Sequence, residues 1–154
     1  MIRTKKRMGL CIALMVLILA FIWGNSAMPG DASGNLSDWV GAILSAISPF
    51  LATEQGLHFL RKAAHFSEFA ALGMTLSWLF AMISQGLTKR FGLPLLCGAV
   101  AACIDETIQI FTPGRYSSIV DVCIDCSGVL TGILIFGIFL LIIFKIRRKK
   151  AAIS

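Results

Sequence analysis

The sequence predicts an all-α integral membrane protein with four transmembrane helices, a short amphipathic interfacial helix and both termini in the cytoplasm. Three observations carry that prediction. Of 154 residues, 57% are apolar and only 14% charged, where a soluble domain is about half apolar and about a quarter charged. The apolar residues fall into four long runs, the pattern of segments that meet lipid rather than one globular core. The net charge of +6 is held at the edges of those runs: Arg3, Lys5, Lys6 and Arg7 before the first, Lys145, Arg147, Arg148, Lys149 and Lys150 after the last. Basic residues so placed hold helix ends on the cytoplasmic side and imply a lipid bilayer, not a nucleic acid, as partner. Disorder and a disulfide-rich secreted module are excluded by the same composition and a mean hydropathy of +0.85.

The whole chain, 1–154, is expected to form one membrane domain. The first span is placed at about 8–24. Its basic start and modest length also suit a signal peptide, but no small-x-small cleavage site follows Trp23, so an uncleaved anchor is expected. A loop over about 25–60 comes next, opening with an irregular Gly/Ser/Asn/Pro stretch from Gly24 to Gly34. Within it Leu36, Trp39, Val40, Ile43, Leu44 and Ile47 recur at helical spacing. They predict an amphipathic helix at about 36–48, ending near Pro49, too short to span. It would lie in the interface as an anchor or fold over the bundle as a lid. The remaining spans are placed at about 62–84, 91–111 and 118–146, each of membrane-crossing length.

With the N-terminus inside, the cytoplasmic parts hold eleven basic residues, Lys89 and Arg90 among them. The outer side holds three: Arg61, Lys62 and Arg115. That asymmetry sets the orientation. All eight acids (Asp31, Asp38, Glu54, Glu68, Asp105, Glu106, Asp121 and Asp125) then fall in outer loops or outer helix ends.

Three helices carry ionisable groups that a lipid-facing surface would tolerate only at high cost. Arg61, His65 and Glu68 share a narrow arc of the second helix, with Lys62 beside it and His58 judged to lie outside it. Asp105, Glu106 and Gln109 share an arc of about 100° on the third. Asp121 and Asp125 are one turn apart on the fourth. Small residues continue these faces inward: Ala101, Gly98 and Pro94 on one helix, Gly128 and Gly132 on the other. They predict close packing, with the polar faces converging on the bundle axis. The candidate site is therefore Arg61, Lys62, His65, Glu68, Asp105, Glu106, Gln109, Arg115, Asp121 and Asp125. Five carboxylates against three fixed cations need a proton, a cation or a basic partner. Ion pairing, as of Arg115 with Asp121, is the structural alternative. Oxygen donors with one imidazole suit a hard or borderline divalent cation, although no H-E-x-x-H pattern is present. Cys123 and Cys126 form a C-x-x-C on an apolar helix, where packing is the expected role rather than redox chemistry. Gly128 and Gly132 give only a weak signal for dimerisation.

Two blocks of the sequence match a known pattern. Lys62-Ala63-Ala64-His65-Phe66-Ser67-Glu68-Phe69 resembles one signature of the VanZ-like membrane proteins. Asp105-Glu106-Thr107-Ile108-Gln109-Ile110-Phe111-Thr112-Pro113-Gly114-Arg115, then Asp121-Val122 and Asp125-Cys126-Ser127-Gly128, resembles the other. Together they cover about 62–128, in the expected order. Asp125 stands where many relatives have Asn, which adds a negative charge. The resemblance implies an envelope-facing membrane protein and tolerance to lipoglycopeptides such as teicoplanin, without rebuilding of the peptidoglycan precursor; it implies no reaction.

Three functions stay open. A binding or protective module would hold a lipoglycopeptide or a lipid-linked cell-wall precursor, with Arg61, Lys62 and Arg115 on its anionic groups. An enzyme, a hydrolase or transferase assisted by a metal, would use His65 or Glu106 as general base on a lipid-linked envelope substrate. No G-x-S-x-G or zincin pattern supports it. A transporter ranks last, because the inner helix halves offer little polarity beyond Thr75, Ser77 and Thr131 and no inverted repeat is visible.

Overall fold

A computed structural model of the chain describes residues 2–30, 39–40, 42–43, 45 and 48–153. Four long helices make up most of it: α1 (Ile2–Ser26), α2 (Glu54–Ile83), α3 (Leu87–Phe111) and α4 (Ile119–Ile153). A 3-10 turn, Pro49–Ala52, precedes α2, and no strand occurs among the described residues. Each long helix includes an apolar stretch of at least 22 residues. At about 1.5 Å per residue that exceeds the roughly 30 Å hydrocarbon core of a bilayer. The protein is an all-helical, multi-pass membrane protein. The amphipathic helix expected at 36–48 lies for the most part outside the described residues. Within it Trp39 and Ile43 are helical and exposed.

The caps explain where the helices begin and turn. Thr53 caps α2, its hydroxyl oxygen accepting from the backbone N–H of Gly56 at 3.2 Å, while Glu54 in the first turn complements the helix dipole. The helix thus starts well before residue 62, where the chain becomes apolar enough to span. Gly86, with φ of 89°, turns the chain back into α3. At the other end of α3, the N–H of Arg115 bonds to the carbonyl of Thr112 at 3.2 Å across Pro113 and Gly114. Gly114 has φ of 73°. Proline at the second turn position and a left-handed glycine at the third are the signature of a type II turn. Ser118 then caps α4, its hydroxyl accepting from the N–H of Val120.

Packing follows the small residues. A side chain at Gly128 or Gly132 would collide with the backbone carbonyls of Phe66 and Ala70, so α4 lies directly on α2. The Gly-x-x-x-Gly face is consumed inside the chain. Val129, between the two glycines, enters a core of Ile22 from α1, Phe69, Leu72 and Leu76 from α2, and Ala101 and Ala102 from α3. In lipid such contacts stabilise through close fit rather than removal of apolar surface from water. The outer faces are apolar, with Leu17, Phe21, Leu141 and Phe144 exposed.

Polarity is internal. Asp105, Glu106, Gln109, Thr112 and Asp125 are buried. The up-and-down connectivity gathers them, with the end of α1, the start of α2, the end of α3 and the start of α4, at one end of the bundle.

Candidate functional site

At that polar end lies a cavity of about 170 Å³. Eight of the ten candidate residues line it: Arg61, Lys62 and His65 from α2, Glu106 and Gln109 from α3, Arg115 from the turn, and Asp121 and Asp125 from α4. Glu68 and Asp105 are not part of its lining. Side chains from the polar faces of α2, α3 and α4 thus line one cavity. His58 also lines the cavity, so its exclusion from the arc is corrected. It is seven residues before His65, two turns along the same face, and is helical because α2 begins at Glu54.

The carboxylates are held by specific donors. Gln109 Nε2 donates to Asp105 Oδ2 at 3.0 Å and to Glu106 Oε1 at 3.2 Å, bridging two acids on its own helix. It also reaches Ser26 Oγ at 3.4 Å. The other oxygen of Glu106 accepts from the N–H of Ser118 at 2.9 Å, tying α3 to the start of α4. Lys62 pairs with Asp121, both side chains about a third exposed. The predicted alternative of Arg115 with Asp121 is not the pairing found.

Arg115 instead anchors α1. Its Nη2 donates to the carbonyl of Asn25 at 2.9 Å and its Nε to that of Met28 at 3.3 Å. The turn that carries it is pinned further by the N–H of Gly30, which donates to the carbonyl of Pro113 at 3.0 Å. Burial, then the neighbouring Arg61 guanidinium, pull Arg115 below its ordinary pKa, opposed by Asp105, Glu106 and Glu68. A guanidinium still remains charged at physiological pH.

Several buried polar atoms have no partner among the described residues: Arg61 Nε, His65 Nδ1, Glu68 Oε2, Asp105 Oδ1 and Asp125 Oδ2. His65 Nδ1 is 3.7 Å from Asp105 Oδ2, too far for a hydrogen bond. Buried polar groups without partners are costly, more so inside a membrane, and native structures keep few of them. The arrangement can therefore take up an anion at its arginine and lysine mouth and a proton or cation among the carboxylates behind.

Sequence reasoning missed the contribution of α1. Asn25 Nδ2 donates to Glu68 Oε1 at 3.5 Å, and the Ser26 carbonyl accepts from the Thr112 hydroxyl at 3.1 Å. It also missed Tyr116, Ile124 and Gly114 on the cavity wall. The cysteines stay outside the cavity: Cys123 is exposed, Cys126 half-buried against the core.

Fold and site together define a class: a polytopic helical membrane protein with an ionisable pocket at one end of its bundle. The sequence model of the VanZ/LLP1 family matches residues 11–148, and the chain belongs to that family. No curated protein and no solved structure matches it.

Proposed function

We propose that this is a bacterial cell-envelope protein of VanZ type, whose polar pocket faces outward and binds the anionic head of a lipid-linked envelope molecule or of a lipoglycopeptide such as teicoplanin. Both termini are then cytoplasmic, as the distribution of basic residues favours. One observation carries the reading. The three cations of the pocket, Arg61, Lys62 and Arg115, line its wall together with Tyr116. At the end of α3, in the turn and at the start of α4, Phe111, Tyr116 and Ile119 are 82%, 91% and 84% exposed. Cations beside exposed apolar side chains suit an amphiphile, with its charged head in the pocket and its tail in lipid.

The test is susceptibility of a sensitive Gram-positive host expressing the chain, against teicoplanin and vancomycin, beside an Arg115→Ala form at matched membrane levels. Protection against teicoplanin, lost in the variant, is the expected result. Sensitivity unchanged by verified expression would overturn the lipoglycopeptide arm and leave the envelope lipid.

A second reading, a hydrolase or transferase on the same class of lipid, draws on one feature. Both oxygens of Glu106 are engaged, by Gln109 and by Ser118, whereas His65 Nδ1 has no partner among the described residues. Of the two candidate bases, His65 is thus the one free to take a proton. A His65→Ala protein that retains ligand but shows no turnover, where wild type turns over, would favour this reading.

A further inference from the structure

We propose that His65, Asp105 and Asp125 form a binding site for one divalent cation, Zn²⁺ or Mn²⁺, at the buried inner wall of the pocket. One ligand atom from each residue lies within 4.8 Å of the other two. The residues come from α2, α3 and α4, so the site depends on how the bundle closes rather than on any local motif. Acids in proximity would not establish a site by themselves. The further observation is that one oxygen of each aspartate and one imidazole nitrogen are left over, without a partner among the described residues. Asp105 and Asp125 are 0% and 1% exposed, and Asp105 Oδ1, Asp125 Oδ2 and His65 Nδ1 all lack a partner among the described residues.

The surroundings are those of a supported ligand set. Gln109 grips Oδ2 of Asp105 and leaves Oδ1 free, as an outer-shell donor orients a ligating carboxylate. Gln109 is itself bonded to Glu106, which Ser118 fixes in turn. Charge points the same way. Fully ionised, Glu68, Asp105, Glu106, Asp121 and Asp125 would be five negative groups against Arg61, Lys62 and Arg115, a deficit of two that one divalent cation or two protons would neutralise. Metal–ligand bonds of roughly 2.1 Å bring tetrahedral ligand atoms to roughly 3.4 Å apart, so binding would draw the three side chains inward by rotation. One imidazole with two carboxylates favours Zn²⁺ or Mn²⁺ over the all-oxygen cations. The inference stands apart from the identity of the pocket's ligand.

The full chain in nanodiscs, stripped with EDTA, re-equilibrated with Zn²⁺ or Mn²⁺ and desalted, should carry about one ion per chain by elemental analysis and melt higher than the stripped form. His65→Ala and Asp125→Ala should lose the ion and the shift together. Asp125→Asn keeps a neutral oxygen donor and should retain weakened binding, and Gln109→Ala should weaken it by about 10–100-fold. Glu54→Gln, an exposed acid on the same helix, should bind as wild type does. The stripped Asp125→Asn protein should melt no lower than stripped wild type, since it loses an unpartnered buried charge; this separates lost binding from lost folding. Wild type that folds yet carries less than about a tenth of an ion, or His65→Ala and Asp125→Ala proteins that load fully, would overturn the site. Because the readout is metal content, a negative result here is distinct from a negative susceptibility test.

Discussion

The two ends of the bundle hold cavities of opposite kinds. At the polar end about 170 Å³ is walled by His58, Arg61, Lys62, His65, Arg115 and three acids, among others. At the other end a groove of about 580 Å³ runs between α2, α3 and α4, walled by Phe91, Leu134, Phe136, Leu141 and Phe144. Among the described residues its ionisable lining is Arg90 and Arg147. Acyl chains can fill such a groove without penalty, so its size asks for no special ligand. The smaller cavity cannot be filled by a tail, because its walls demand charge and hydrogen bonds. In a membrane protein, unmet polarity is a better guide to function than volume.

Substitutions at the two ends test this contrast most strongly. Asp105→Ala and Arg115→Ala should return teicoplanin susceptibility to that of cells without the protein, whereas Leu141→Ala in the groove should leave protection as it was. Equal loss at both ends would break the comparison. The seam between the ends is next. Gly132→Val would drive a side chain into the carbonyl of Ala70 and should cost about 1–3 kcal/mol, read as a lower melting temperature.

A smaller effect is expected at the turn. Gly114→Ala places a Cβ at φ of 73°, costing about 1–2 kcal/mol, and should weaken protection by moving Arg115 while Asp105 stays in place. Lys62→Ala should change stability by no more than about 1 kcal/mol, because its pair with Asp121 is partly exposed. Cys126→Ala, beside the core but outside the cavity, should be nearly silent in both assays, within about 0.5 kcal/mol. Inactive but inserted Cys126→Ala would give the thiols a role that packing does not.

The spans and most of the pocket were legible because an ionisable residue in an apolar run stands out, and helical arithmetic then assigns it a face. Arg61, His65 and Glu68 were found that way. His58 was missed by the same arithmetic, since the helix was begun at the hydropathy boundary rather than at the Thr53 cap. Asn25 and Ser26 carry no periodic signal: they follow the apolar stretch of α1 and gain meaning only when α3 delivers Gln109 and the turn delivers Arg115. Cross-helix meetings, such as Asp125 with His65, are set by the Gly128 and Gly132 contacts with α2, which a sequence suggests as close packing but does not assign to a partner.

Those buried acids also bear on how the protein is made. An aspartate near the middle of a membrane helix costs about 2.5–3.5 kcal/mol when that segment is offered to lipid by the insertion machinery. Asp105 and Glu106, toward the end of α3, load part of this cost onto it, while α4 beyond Asp125 is almost wholly apolar. Only residues 112–118 separate the two helices. On the ribosome, α3 should therefore wait at the protein-conducting channel until α4 emerges, and the pair should enter the bilayer as one hairpin beside an already seated α2.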